Sequence, residues 1–335
     1  MAFRYSSIHP VDPILTNFVS SSIPNDELIC KDVCETIKVN QESGTILVEN
    51  TRNFMGAPEI NPKRANGAPR AKLVQFERSS LTYRTENYAL EGKISFQDIA
   101  ISQFPQSEEQ RLARQLTRAL LLDKEKRFAD TFFNTGVFTN TNTCTNIMSG
   151  KIDAAGVDAL TGLDQVKELV RSSAHGLHAD TLIIGYATAR ALARNPELRS
   201  YITVGNAPSG IASGGTGVLS DQAMIEVIKA QLNIPNVYIG SARRETAMPG
   251  VTSSEAQIWT DTSLFMGILK GSDAVTQTTG NVKAMPTAAI FLEETPLQSG
   301  QFDDPNGINT NIYVENKNQL KVIDPNLGFI VTACL

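Results

Sequence analysis

The sequence is poor in the residues that catalysis and metal binding draw on. It has three histidines, His9, His175 and His178. His175 and His178 stand three apart with no third ligand nearby, which argues against a metal site. The four cysteines, Cys30, Cys34, Cys144 and Cys334, form no Cys-x-x-Cys pair. Neither a zinc site nor a redox motif is indicated, and free thiols, buried or half-buried, are expected. There is no His-Glu-x-x-His and no Gly-x-Ser-x-Gly elbow. No histidine adjoins a serine or cysteine, so a hydrolytic triad has little support, although triads assemble from distant residues. No apolar run approaches the ~18 residues of a membrane span. The stretch MAFRYSSIHPVDP lacks the apolar core of a signal peptide, so folding in a cytosol and no membrane partner are expected. The formal net charge of −5 argues against a protein that grips nucleic acid by bulk electrostatics.

What remains is an ordinary globular composition, 19% charged and 41% hydrophobic, in a chain long enough for roughly two domains. One stretch organises it. Residues 107–135, between Pro105 and Gly136, contain neither proline nor glycine. Ser107 and Gln110 are spaced as a capping box, Glu108 and Glu109 suit the positive end of the helix dipole, and Gly136 is placed as a left-handed terminator. About 27 residues at roughly 1.5 Å each give a rod on the order of 40 Å. Its expected apolar positions are Leu112, Leu116, Ala119, Leu120, Phe128, Phe132 and Phe133. Arg111, Arg114 and Arg118 mark another face, which could meet a partner subunit or nucleic acid or be simply solvated.

Residues 1–43 read as an extended arm, with a short helix or turn after Pro13 and burial points at Ile29, Val33, Ile37 and Val39. Residues 44–50 are a β-branched strand signal, and residues 73–101 alternate as a returning strand. Between them, residues 52–72 are broken by Pro58, Pro62 and Pro69. They carry Arg52, Lys63, Arg64, Arg70 and Lys72 against Glu59 alone, net +4. A strand out, a basic tip and a strand back predict a long two-stranded arm, which is marginal by itself and needs a surface to lean on. Residues 158–272 alternate strand and helix, with a five-glycine loop at 203–217. That loop fits neither a P-loop nor a Rossmann turn and reads as mobile. Residues 273–335 return to strand character with seven acidic residues, among them Glu293, Glu294, Asp303 and Asp304, and three lysines, net −4. The basic loop and this acidic segment are candidate partners between subunits. No cofactor is indicated.

The order of these elements resembles the major capsid proteins of tailed bacteriophages. DPILTNF with NDELICKDVCETIKVNQESG is similar to the family's N-terminal arm, and ADTLIIGYATARALARNPELRSYI to its strand, turn, helix and Asn-Pro stop. AQLNIPNVYIGSARR with AQIWTDTSLFMGIL is similar to the strand pair that closes its axial domain, and NLGFIVTACL to its C-terminal strand. The resemblance implies an α+β phage major capsid protein fold. Its parts would be an N-terminal arm (1–43), an extended loop (44–101), a peripheral domain with the spine helix (102–157 and 273–335) and an axial domain (158–272). It implies pentamers and hexamers of an icosahedral head around double-stranded DNA held without sequence-specific contacts. Scaffolding, portal and decoration proteins would be partners, and assembly would take place in the host cytoplasm. VCETIKV departs from the aromatic-proline step of many relatives, and no lysine–asparagine cross-linking pair can be matched. The alternatives are an encapsulin-like compartment shell and, further off, an α/β enzyme with a site near 203–217.

Overall fold

The computed structural model describes residues 11–21, 28–49, 63, 78–95, 97, 101, 105–154, 156–196, 198–199, 219–248, 250–270, 286–304 and 309–335. The chain opens with α1 (Pro13–Ser21), α2 (Cys30–Val33), β1 (Thr36–Lys38), β2 (Ser43–Glu49), β3 (Arg78–Arg84) and β4 (Glu86–Ser95). The spine helix, α3 (Pro105–Phe132), follows, then β5 (Thr141–Thr143), α4 (Cys144–Met148) and α5 (Ala159–Ser173). Next come β6 (Thr181–Gly185), α6 (Tyr186–Arg194), α7 (Asp221–Leu232), β7 (Asn236–Gly240), β8 (Arg243–Glu245), β9 (Glu255–Gln257) and β10 (Leu264–Gly267). Two long strands, β11 (Ala289–Asp303) and β12 (Asn309–Val322), and the short β13 (Gly328–Thr332) complete it.

The strands form a four-stranded sheet in the order β1-β11-β12-β4 and a five-stranded sheet in the order β5-β13-β10-β6-β7, with β2–β3 and β8–β9 as separate two-stranded ribbons. The five-stranded sheet is built on the α/β segment. β6 is an unbroken run of buried residues, paired parallel to β7 and antiparallel to β10, as a strand covered on both faces must be. The C-terminal β13 inserts beside β10, so the chain's end hydrogen-bonds into the α/β sheet although the sequence division groups 273–335 with the spine. α6 stops at Arg194, before Asn195 and Pro196, as the sequence predicts. Asn195 is buried and donates its amide to the carbonyls of Ile152 and Val157. α7 begins at the predicted Ser220, whose hydroxyl accepts from Ala223 N–H.

The spine helix spans 28 residues. It begins at Pro105, where a fixed φ suits the first turn, so Ser107 lies inside the helix and is not its cap. It ends at Phe132, and Gly136 is outside the left-handed region, its N–H bonded to the Asn134 side chain. The buried stripe also differs from the expected one. Ala119 is exposed, while Ala113, Thr117, Leu120, Glu125, Phe128 and Phe132 are buried. Thr117 lies in an apolar seam because its hydroxyl bonds back to the Ala113 carbonyl. The stripe serves two cores. Ala113 and Leu120 pack with Leu15, Val19, Ile312 and Val314, and Phe128 and Phe132 join the main core around Phe138, Phe265 and Phe291. Gly92 lets the helix settle on β4, since a methyl group there would stand 2.8 Å from Leu112 Cδ1.

The predicted two-stranded arm is divided. β2 pairs in register with β3, from Ser43↔Arg84 to Glu49↔Arg78. The chain then breaks at buried Thr85, and β4 leaves to pair along ten residues of β12. The break is fixed by Thr85, whose N–H and hydroxyl both reach the Glu42 carbonyl. The 52–72 loop lies outside the described residues apart from Lys63, which is exposed. The glycine loop at 203–217 also lies outside them.

All four cysteines are buried thiols outside any disulfide. Burial, with Glu125 beside it, pushes the Cys30 thiol up, and the bond to Cys144 together with burial does the same for Cys334. A thiol reagent should therefore modify none of the four in the folded subunit and all four after denaturation. Rapid modification of any one in the native chain would contradict this packing.

Candidate assembly surfaces

Where the helix passes between the two cores it carries a buried carboxylate. Glu125 is fully buried. Its Oε1 accepts from Ile29 N–H at 3.1 Å and from the Trp259 indole at 2.6 Å, and its Oε2 accepts from Cys30 N–H at 2.9 Å. One side chain thus ties together the arm, the spine and the α/β segment. Its neighbours turn elsewhere. Lys124 places its ammonium 3.9 Å from the Phe291 ring centre, and burial lowers its pKa. Arg127 stacks 3.5 Å over Tyr88 while donating to Asp123 and Asn318. The sequence reading missed Glu125, because an acid between Lys124 and Lys126 in a helix looks solvated.

The structure separates the residues proposed from sequence as contacts. Arg52, Arg64, Arg70 and Lys72 lie outside the described residues. Glu293 and Glu294 sit within β11 at a bulge in its pairing with β12 and have partners in the subunit. Glu293 accepts from Asn316 at 3.4 Å, and Glu294 accepts from the Thr85 hydroxyl and pairs with Lys317 at 3.3 Å. Asp303 and Asp304 lie at the far end of the β11–β12 hairpin. There Asp303 accepts from Thr310, and Asp304 N–H reaches the Asn309 carbonyl. The Glu109 pKa is raised from its ordinary value, by burial first and then by the charges of Asp12 and Asp303. The three arginines of the spine diverge as well. All are exposed, but Arg111 pairs with Glu108 at 3.7 Å, Arg114 stacks 5.3 Å over Phe18, and Arg118 faces the β8–β9 ribbon.

Beside Arg118 opens a cleft of about 550 Å³, lined by Tyr186, Ser241, Arg243, Arg244, Glu245, Glu255 and Gln257. Its rim is a rigid turn. Glu245 accepts from the Ser253 hydroxyl and from the N–H groups of Ala247 (2.9 Å) and Ser254 (2.6 Å). Those bonds, the Ser253 hydroxyl foremost, hold its pKa at about 2, below the ordinary 4.5. A depressed acid stabilises the folded form above its unfolded value. The turn should therefore keep its bonds above pH 4.5 and lose them only as pH falls through about 2. A carboxyl NMR titration of the unassembled subunit tests this, and a Glu245 midpoint near 4.5 would contradict it. Among the described residues no three His, Cys, Asp or Glu side chains gather as a metal would require, and no helix is long and apolar enough to cross a membrane.

A spine helix laid across a hairpin sheet, an α/β sheet at its other end and a ribbon paired only with itself are the parts of the capsid-subunit fold. No family model matches the sequence. A phage-related protein of Bordetella bronchiseptica RB50 shares the fold with a TM-score of 0.68 at 17% identity, over 97% of this chain and 98% of that one. The capsid of Cyanophage P-SCSP1u does so with a TM-score of 0.55 at 10% identity, over 92% of this chain and 89% of that one. Two curated relatives carry the name major capsid protein. That of Burkholderia phage BcepMu is 25% identical over 239 residues, 71% of each chain. That of Pseudomonas phage JBD67 is 24% identical over 252 residues, 75% of this chain and 74% of its own. In fold and in sequence, then, the chain is similar to the major capsid proteins of phages.

Proposed function

We propose that copies of this chain join into pentamers and hexamers and close as an icosahedral head around double-stranded DNA, within a virion assembled in the host cytoplasm. The observation that carries the reading is the β2–β3 ribbon. Among the described residues no third strand joins it and it is little buried, yet it is continuous at Thr85 with the central β4 pairing. A ribbon of two strands has no independent stability to spare, and a neighbouring subunit would supply the missing contact. The curated relatives' name supports the same reading over an encapsulin-like compartment.

Within such a head we assign residues 158–272 to the axial domain, and residues 102–157 with 273–335 to the peripheral domain. The basic loop at 52–72 reaches over a neighbour, with Glu293, Glu294, Asp303 and Asp304 as its candidate acids. Scaffolding, portal and decoration proteins are the partners the reading calls for, and DNA is enclosed without sequence-specific contacts. Electron microscopy and light scattering of the purified protein test it. Closed megadalton shells are expected, and a nucleic-acid-to-protein absorbance ratio well above that of protein separates a DNA head from a protein compartment. A stable monomer at high concentration, with a scaffolding partner present, would overturn it.

A further inference from the structure

The four-stranded sheet ends in an open strand. Its order is β1-β11-β12-β4, so β4 is hydrogen-bonded on one side by β12, and among the described residues no strand pairs with its other side. The edge is long and regular. Ten residues, Glu86–Ser95, follow β12 without a register shift, and none is proline. Ala89, Glu91 and Lys93 are exposed on one face of the strand and Leu90, at 37%, on the other, so the strand meets solvent on both faces. Such an edge carries a row of unpaired N–H and C=O groups, and proteins that keep it from pairing break it with proline or a bulge or set charges along it. β4 has neither proline nor bulge, and its charges select a partner.

The occupant that satisfies a ladder is another strand. Among the described elements no other edge strand is as long; β2 and β3, the next longest, have seven residues each. β4 of a second copy matches it in length and can pair with it antiparallel about a two-fold axis normal to the sheet. That axis leaves every side chain on its own face, and directly opposed residues share a face. The axis must therefore pass between a residue and its own copy. Two positions of the axis pair nearly the whole strand. Centred on Glu91, it sets two carboxylates against each other, which is unfavourable. Centred on Leu90, it sets Leu90 against Leu90, Ala89 against Glu91, Asn87 against Lys93 and Glu86 against Ile94. No like charges are then opposed, and the exposed leucine is covered.

We infer that β4 of one copy pairs with β4 of a second copy in the register centred on Leu90, joining their sheets into one. This rests on the reading of the chain as a shell subunit and names a contact within it. Head-to-tail contacts close rings, and a two-fold contact of this kind joins one ring to the next.

The test is Leu90→Cys, assembled as the wild type is and then oxidised with copper–phenanthroline in air. Opposed residues of an antiparallel pair hold their Cβ atoms about 5 Å apart, so a disulfide-linked dimer is expected, with residue 90 joined to residue 90 in the digest. Wild type should give none, since its four cysteines are buried. Asn87→Cys should give at least tenfold less, because Asn87 lies opposite Lys93 and its two copies stand roughly 20 Å apart along the strands. Ala89 reads the same register through charge. Ala89→Glu would face Glu91 of the second copy, and should leave rings but lower the yield of shells at least tenfold at low salt, whereas Ala89→Lys should assemble as the wild type does. Circular dichroism checks that both subunits fold. Shells of Leu90→Cys without the cross-link would overturn the inference, as would an equal cross-link at Asn87→Cys or equal shell yields from the two Ala89 variants. If Leu90→Cys does not fold or assemble, the Ala89 pair decides. Wild-type protein that stays monomeric under every condition would instead reject the shell reading itself.

Discussion

Glu125→Ala should be the most destabilising single substitution in the chain that leaves every apolar contact in place, costing about 3–5 kcal/mol. The carboxylate accepts three hydrogen bonds in a site closed to water. Removing it leaves two backbone N–H groups and an indole N–H buried without acceptors, and hydrogen bonds to charged groups contribute roughly 1.5–3 kcal/mol each before non-additivity. Glu125→Gln should cost less, about 1–3 kcal/mol, because the amide oxygen can keep the Ile29 and Trp259 bonds while its NH₂ opposes Cys30 N–H. Trp259 is the only tryptophan, so its emission reports the junction directly. Urea unfolding followed at that residue should rank wild type above Glu125→Gln above Glu125→Ala. Hydrogen exchange should show residues 28–34 opening first in the alanine variant, since Glu125 holds the start of α2. Equal midpoints for all three would mean that the junction is held by apolar packing alone.

Deleting residues 55–69 should leave a subunit as stable as the wild type and abolish shells. The deletion falls between Glu49 and Arg78, which are directly paired across the ribbon. The chain ends it must rejoin are therefore only about 5 Å apart, and residues 50–54 with 70–77 remain to span them. Shortening a loop whose ends are already together lowers its closure cost slightly. Among the described residues the deletion removes only Lys63, which is exposed. What it removes includes Lys63 and Arg64, two of the five basic residues of the 52–72 loop. Denaturation midpoints together with microscopy read both halves of the expectation. Unfolding would place the loop in the subunit's own body, and normal shells would deny it any part in assembly.

The helices and strands of the α/β segment were legible because their signals are local. Ser220 caps α7, Asn195-Pro196 stops α6, and TLIIG is apolar at every position because it lies in the middle of a sheet. The spine helix was legible for the same reason, since a long stretch without proline or glycine leaves few other conformations. Its ends were read less well. The chain begins the helix at Pro105 and ends it at Phe132, four residues before Gly136.

The sequence by itself determined the order of the elements, and through that order the class of protein, because secondary structure and burial pattern are set within a few residues. Only the tertiary structure decided which charges matter. Glu125 meets its three donors across 96, 95 and 134 positions of chain. Glu294 meets Thr85 and Lys317, while Asp303, nine residues on, accepts from Thr310 and bears on Glu109. The stripe Arg111, Arg114, Arg118 divides among Glu108, Phe18 and the β8–β9 cleft. A charge acquires its role from what is brought within a few ångströms of it, and for these residues that neighbourhood comes from distant parts of the chain, which no local pattern records.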